Sequence, residues 1–261
     1  MTIESPRIVV LAQTGPGTNV IVRALRAAFG DVTVVLEEPV PRWRFVQRRI
    51  KRLGVGPVVG QLLFSAVVVP LLRRTGRGRV REILDEAGLD DAPLEQAVLR
   101  VGSVNTSEAR YLLELLRPAV VVVSGTRIIS GATLAAARCP VINMHAGITP
   151  QYRGVHGGYW ALAQGRPDLV GTTVHLVDTG IDTGPILGQA TFPVTARDSF
   201  VTYPYLHVAH GLPLLVQAVG DALAGKALEP RQPRANDAPS ALWSHPTLPG
   251  YVYRRIRFGV A

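Results

Sequence analysis

The sequence predicts an α/β protein built on an open, mostly parallel, twisted sheet with helices on both faces. Three observations predict it. Residues 7–36 run strand, glycine turn, helix and strand in immediate succession, and a βαβ opening favours parallel pairing. The strand candidates are short, uninterrupted β-branched runs, as in 119–124 (AVVVVS), which suits strands covered on both faces. Helical and strand patterns then alternate again between 105 and 225. The organisation is Rossmann-like, and in such sheets ligands sit beyond the carboxyl ends of the strands.

Each element follows from local pattern. Residues 7–13 (RIVVLAQ) are β-branched and end at a glycine turn, a buried strand. Residues 19–29 place apolar side chains at helical spacing, and 32–36 (VTVVL) read as the next strand. Regularity fails from about 40 to 100. Asn105 with Glu108 three residues on predicts a capping box before a helix at 107–116. Pro118 and the strand 119–124 follow, then a helix at 131–138 and a strand at 141–144 (VINM). Residues 156–164 suit a helix, and 171–177 and 186–194 suit strands. A long helix is predicted from Ser199 to about Leu223, bent by Pro204 and Pro213. We divide the chain into a catalytic domain at 1–228, carrying an insertion at about 40–100, and a basic tail at 229–261.

Composition narrows the function classes. With 47% hydrophobic and 18% charged residues the 261-residue chain is globular, neither disordered nor fibrous. The single cysteine, Cys139, excludes an intrachain disulfide and a cysteine-based metal cluster. The first fifteen residues show no basic, apolar leader, so a cytoplasmic setting is expected. The net charge of +9 points first to nucleic acid, but its distribution does not. Residues 42–82 hold eleven basic residues and one acid, and 231–257 hold five and one, which leaves the remainder at −5.

Chemistry concentrates in 141–187. Asn143 and His145 stand two apart at the end of an apolar strand, so both side chains face one way into the crevice. Asp182 lies in a Gly-rich turn (GIDTG) after a later strand. An amide donor, a proton carrier and a carboxylate together suit acyl transfer through a tetrahedral oxyanion. GxSxG is absent, and Cys139 lies before Pro140 in the approach to the strand, so direct attack by an external amine is expected rather than a covalent enzyme intermediate. His175 reads as packed in mid-strand, and His245 as a tail residue. His207 and His210 lack a third ligand, and no metal site is expected.

These motifs resemble the 10-formyltetrahydrofolate-dependent formyltransferases, the family of the phosphoribosylglycinamide, methionyl-tRNA and sugar N-formyltransferases. The resemblance rests on Asn143-Met144-His145, Pro150-Gln151-Tyr152-Arg153-Gly154, Gly171-Thr172-Thr173-Val174-His175 and Asp182-Thr183-Gly184, with matching spacing. It implies the formyltransferase fold, Asn143, His145 and Asp182 as catalytic residues, and 10-formyltetrahydrofolate as co-substrate. It also implies a folate pocket at Arg127, Ile128, Ile129, His156 and Val177. Gly15-Pro16-Gly17-Thr18-Asn19 resembles the loop that holds a substrate phosphate in the glycinamide ribonucleotide enzymes, which assigns Gly15, Gly17, Thr18 and Asn19 to that role. Where the family usually has a Ser before Leu-Leu-Pro, this chain has Ala146-Gly147-Ile148-Thr149-Pro150. The expected acceptor is a small amine. The rival readings are a hydrolase that releases formate and a non-catalytic binding protein.

The insertion matches no part of that family. Residues 53–72 carry no charge for twenty residues, a span length, but Pro57, Pro70, Gln61 and three glycines interrupt them. Basic clusters flank both ends, whereas a membrane span shows a one-sided bias. Three readings stay open: a helix packed on the body or in a homodimer interface, peripheral membrane contact through 42–82, and recognition of a polyanionic acceptor. Aromatic residues are sparse among the arginines, which argues against a nucleic-acid surface.

Overall fold

The computed structural model describes residues 7–94, 98–235 and 239–261. It opens as predicted, with β1 (Ile8–Ala12), α1 (Pro16–Phe29) and β2 (Val32–Glu37). After the insertion come β3 (Leu99–Val101), α5 (Ser107–Leu116), β4 (Val120–Ser124), α6 (Gly131–Ala137) and β5 (Val141–His145). The chain continues through β6 (Tyr152–Gly154), α7 (Gly157–Ala163), β7 (Gly171–Leu176), β8 (Ile186–Thr191) and the long α8 (Tyr203–Leu223).

Seven strands form one sheet in the order β3-β2-β1-β4-β5-β7-β8. The first five are mutually parallel, and β7 and β8 run antiparallel. From β1 the chain builds outward through β2 and then returns through β4, so the strand order reverses between β1 and β4. A crevice opens at such a switch point, beyond the carboxyl ends. Alternate residues of β1 and β4 fill two separate cores. Ile8, Val10, Val120 and Val122 pack toward Leu25 and Leu215, while Val9, Leu11, Val121 and Val123 pack toward Leu113. This two-sided burial is why those strands read as continuous apolar runs rather than alternating ones.

Four expectations need correction. The cap of α5 is Thr106, whose hydroxyl accepts from the Ala109 N–H, not Asn105. The Asn105 amide instead donates to the Ile128 carbonyl and accepts from the Ser130 N–H, so it braces the loop after β4. The long helix starts at Tyr203 rather than Ser199, which places Pro204 in its first turn, where no N–H is lost; Pro213 alone is interior. The stretch from 40 onward is not irregular: it forms α2 (Arg42–Leu53), α3 (Val55–Leu63), a π-helical turn (Phe64–Val68) and α4 (Val69–Glu86). Pro57 sits in the first turn of α3, where proline is tolerated, and Pro70 lies inside the continuous run, directly after the π-helical turn. Finally, the tail is part of the body. It adds β9 (Ala241–Trp243), parallel to β6, and α9 (Leu248–Phe258).

Insertion and tail are sealed to the body by one aromatic cluster. Phe64 is fully buried, its ring centroid 4.9 Å from Phe200 and 5.0 Å from Tyr251. Gly60 admits the close passage of Thr247, since a Cβ there would lie 2.9 Å from that side chain. Phe64→Ala should therefore cost about 3–5 kcal/mol through lost burial and a residual cavity. The urea midpoint measures this, and a loss below about 1 kcal/mol would show that the seal contributes little.

Candidate active site

A cavity of about 430 Å³ opens beyond the carboxyl ends of β4 and β5, within the range of small-molecule sites. Asn143, His145, Asp182, Arg127, Ile128, Ile129, His156 and Val177 all line it. The sheet places Asn143 and His145 at the carboxyl end of β5, on the side predicted from their spacing.

The His145 ring sits between two partners. Its Nε2–H donates to the Tyr152 carbonyl at 2.7 Å, and Nδ1 lies 3.4 Å from Asp182 Oδ2. The first bond sets the tautomer, so Nδ1 is the nitrogen that takes a proton, directly beside the carboxylate. Burial pushes the His145 imidazole below its ordinary value, against opposing pulls from Asp182 and the Tyr152 carbonyl. Burial acts to raise the Asp182 carboxyl. His175, the nearby His145 charge and the Gly154 N–H outweigh it and hold that carboxyl below the ordinary value. The Gly154 N–H donates to Asp182 Oδ2 at 2.8 Å.

The Asp182 turn is constructed in detail. Asp178 accepts from the Gly180 N–H and the Thr183 hydroxyl, and Arg153 donates to the Ile181 carbonyl. Asp182 itself has φ of 52°, a left-handed conformation that Asp tolerates better than most residues. Gly154, facing it, has φ of 95°, and a Cβ there would lie 2.4 Å from the Trp243 carbonyl oxygen. Only glycine lets β9 pass behind the Asp182 turn.

His175 is packed, as its mid-strand position suggests, and it also touches two of the candidate site residues. It is buried, but its Nε2 lies 3.2 Å from Asn143 Nδ2 and 3.7 Å from Asp182 Oδ1. Its Nδ1–H donates to the Leu176 carbonyl at 2.8 Å, which leaves Nε2 to accept from Asn143. Asn143 thereby has one N–H committed to His175, and its side chain lines the cavity. The signal was the antiparallel register of β5 and β7, which pairs Asn143 with His175; a sequence motif alone does not reveal it. The threonines before His175 hold the loop after β5. Thr172 donates to the His145 carbonyl and Thr173 to the Gly147 carbonyl.

The other assigned residues are placed as follows. Ile128 is half exposed at the cavity, and Ile129 is buried behind it. The Arg127 guanidinium turns away, to Glu37, Glu38 and Gly102, so Arg127 contributes backbone rather than charge. His156 lines the wall, but its ring bonds to His245 at 2.9 Å and packs on Phe200 at 4.3 Å. Burial and the neighbouring His245, His207 and Arg49 push it down to about 3. His245 is thus no free tail residue. Gly15 caps α1, and the loop adjoins the end of β4 through the Thr18–Ser124 hydroxyl pair at 3.0 Å. The Thr18 hydroxyl also donates to the Gln13 carbonyl, and the Asn19 side-chain amide donates to the Asp91 carbonyl, so both side chains bond within the protein. Cys139 lies outside the cavity, and burial pushes its thiol up to about 11, far from a reactive thiolate.

Comparisons with known proteins agree with this geometry. The formyl transferase family model matches residues 68–218, more than half of the chain, and so takes in residues 68–100, which the sequence reading sets outside the family. The methionyl-tRNA formyltransferase of Pelotomaculum thermopropionicum is 32% identical over 170 residues, covering 65% of this chain and 53% of that protein. The chain spans about half the length of the curated relatives it matches. Two solved structures share the fold. Glycinamide ribonucleotide transformylase 1 from Symbiobacterium toebii has TM-score 0.55 and 19% identity, over 85% of this chain and 89% of its own. An N-formyltransferase from Helicobacter canadensis, solved with folinic acid and dTDP-3-aminofucose, has TM-score 0.52 and 15% identity, over 91% of this chain and 70% of its own. With its parallel sheet, its strand-end cavity and this match across the catalytic motifs, the chain belongs to the formyl transferase family.

Proposed function

We propose that the protein transfers a formyl group from 10-formyltetrahydrofolate to the amine of a small acceptor. The observation that carries this is the convergence of Asn143, His145 and Asp182 on one cavity, with His145 Nδ1 facing the carboxylate. The cavity suits a folate ring. Its wall is apolar at Val123, Ile128 and Val177, beside the polar Asn143, His145 and Asp182.

The acceptor nitrogen bonds to the formyl carbon, and negative charge gathers on the former carbonyl oxygen. The other N–H of Asn143 donates to that oxygen. His145 Nδ1 takes the proton that the attacking amine releases, and Asp182 stabilises the resulting imidazolium. The bond from carbon to the folate nitrogen then breaks, and that nitrogen receives the proton that His145 Nδ1 had taken. His175 holds the Asn143 amide in position throughout. Backbone N–H groups at the start of α1 suit a phosphate on the acceptor.

An amine panel incubated with 10-formyltetrahydrofolate tests the reading, with products followed by the mass of one added formyl group. At least one acceptor is expected to gain it. Formate release without an acceptor would make the protein a hydrolase, and folate binding without turnover would make it a binding protein.

A further inference from the structure

The insertion and the C-terminal helix make a surface that the transfer reaction does not use. The run from Val55 to Glu86 is a single helical rod, long and apolar enough to cross a membrane. One side of it is committed to the body. Val58, Phe64 and Ile83 are buried, and Gln61 is buried too, donating to the His245 carbonyl and accepting from Arg49. A crossing would tear out that core and strand a buried amide in lipid.

The opposite side is a different matter. Val55, Val59, Leu62, Leu63, Val67 and Leu71 recur at helical spacing and are each 46–61% exposed. Helix α9 lies beside them, with Tyr251 inside against Phe64 and Ile256 outside at 81% exposure. Trp43 on α2 extends the patch, 58% exposed. A continuous apolar face of this kind marks an interaction site.

Its rim is basic as far as residue 81, and the acids Glu82, Asp85 and Glu86 are confined to the last turns of α4. Residues 42–81 contain eleven basic side chains and no acid, and α9 adds Arg254, Arg255 and Arg257 with no acid. Arg48, Lys51 and Arg52 at one end and Arg73, Arg74 and Arg77 at the other are exposed. A second copy fits poorly, because a two-fold pairing of this patch would set like charges face to face. A planar anionic layer with an apolar interior satisfies both features at once.

We propose that α2, the outward faces of α3 and α4, and α9 form a monotopic docking surface for an anionic phospholipid bilayer. The apolar stripe enters the acyl boundary, and the arginines engage lipid phosphates. The surface stands apart from the folate cavity, so the proposal does not depend on the transfer reaction.

Flotation of the whole chain with phosphatidylcholine vesicles, with and without phosphatidylglycerol, tests this. The protein should float only with the anionic vesicles, and raised salt should release it. Leu63→Glu with Val67→Glu should abolish flotation, and Arg73→Gln with Arg74→Gln should lower the partition coefficient at least tenfold. Circular dichroism and the urea midpoint of both variants should match the parent, since all four positions are exposed. Three results would overturn the proposal: no flotation with anionic vesicles, equal flotation with neutral ones, or no response to either variant. A dimer in light scattering that Leu63→Glu dissociates, without vesicle affinity, would assign the face to a second copy instead.

Discussion

His145→Ala lowers the rate of formyl transfer by roughly 10²–10⁴, the usual loss when a positioned proton carrier is removed. Asp182→Asn should fall in the same range, because it leaves the imidazolium at Nδ1 without its partner 3.4 Å away. Asn143→Ala should cost roughly 10²–10³, the value of one oxyanion donor. The losses do not add. His145 and Asp182 act as a unit, so the double variant should be little slower than the worse single one. Single-turnover transfer to whichever amine the acceptor panel identifies gives the rates, and urea midpoints confirm that the variants fold. Near-parental rates for both single variants would remove these residues from the chemistry. The acid limb provides an independent check. Burial holds His145 below its ordinary value, so the base stays neutral at pH 7 and activity should fall only below the usual imidazole range.

Acid should also unfold the protein, and the same burial is the cause. His156 and His207 are pushed down to about 3 and His245 to about 4, in each case chiefly by desolvation, from an ordinary value of 6.5. The direction of the effect follows from which state binds protons. Below 6.5 the unfolded chain protonates these rings while the native state leaves them neutral, so stability falls as pH drops from 6.5 toward 4 and levels off below the native values. Each ring contributes about 1.4 kcal/mol per pH unit in the interior of that window. Three rings over the two units from 6.5 to 4.5 make the loss on the order of 8 kcal/mol, comparable with the whole stability of many domains. Asp182, held low, adds its own loss only when the pH falls below the ordinary carboxylate range. Denaturant titrations at pH 7.0, 5.5 and 4.5 measure this. A midpoint that does not move between 7.0 and 5.5 would show that these histidines titrate as exposed ones.

Much of this was legible because the determinants are local. β-Branched runs covered on both faces announce a parallel sheet, and the two-residue spacing of Asn143 and His145 places them on one side of a strand. The turn at Asp182 carries its own glycines. Other features were not legible, because they depend on partners distant in sequence. Asn105 looked like a cap by its spacing to Glu108, yet Thr106 caps α5 and Asn105 braces Ile128 and Ser130. His175 looked packed because it is buried, and only the β5–β7 register sets it against Asn143. Arg127 falls at the cavity, but a buried Glu37 on another strand draws its charge away.

The insertion shows the division most clearly. Its composition alone established a charge-free, arginine-flanked segment and concentrated the +9 charge there and in the tail. Composition cannot tell which side of a helix is buried, since the rod is apolar on both. The tertiary structure decided that: Phe64 and Gln61 face the body, and Val59, Leu63 and Val67 face outward. The physical reason is that hydrophobicity belongs to the residue, whereas burial belongs to the neighbours, and here the neighbours are Phe200, Tyr251 and Thr247.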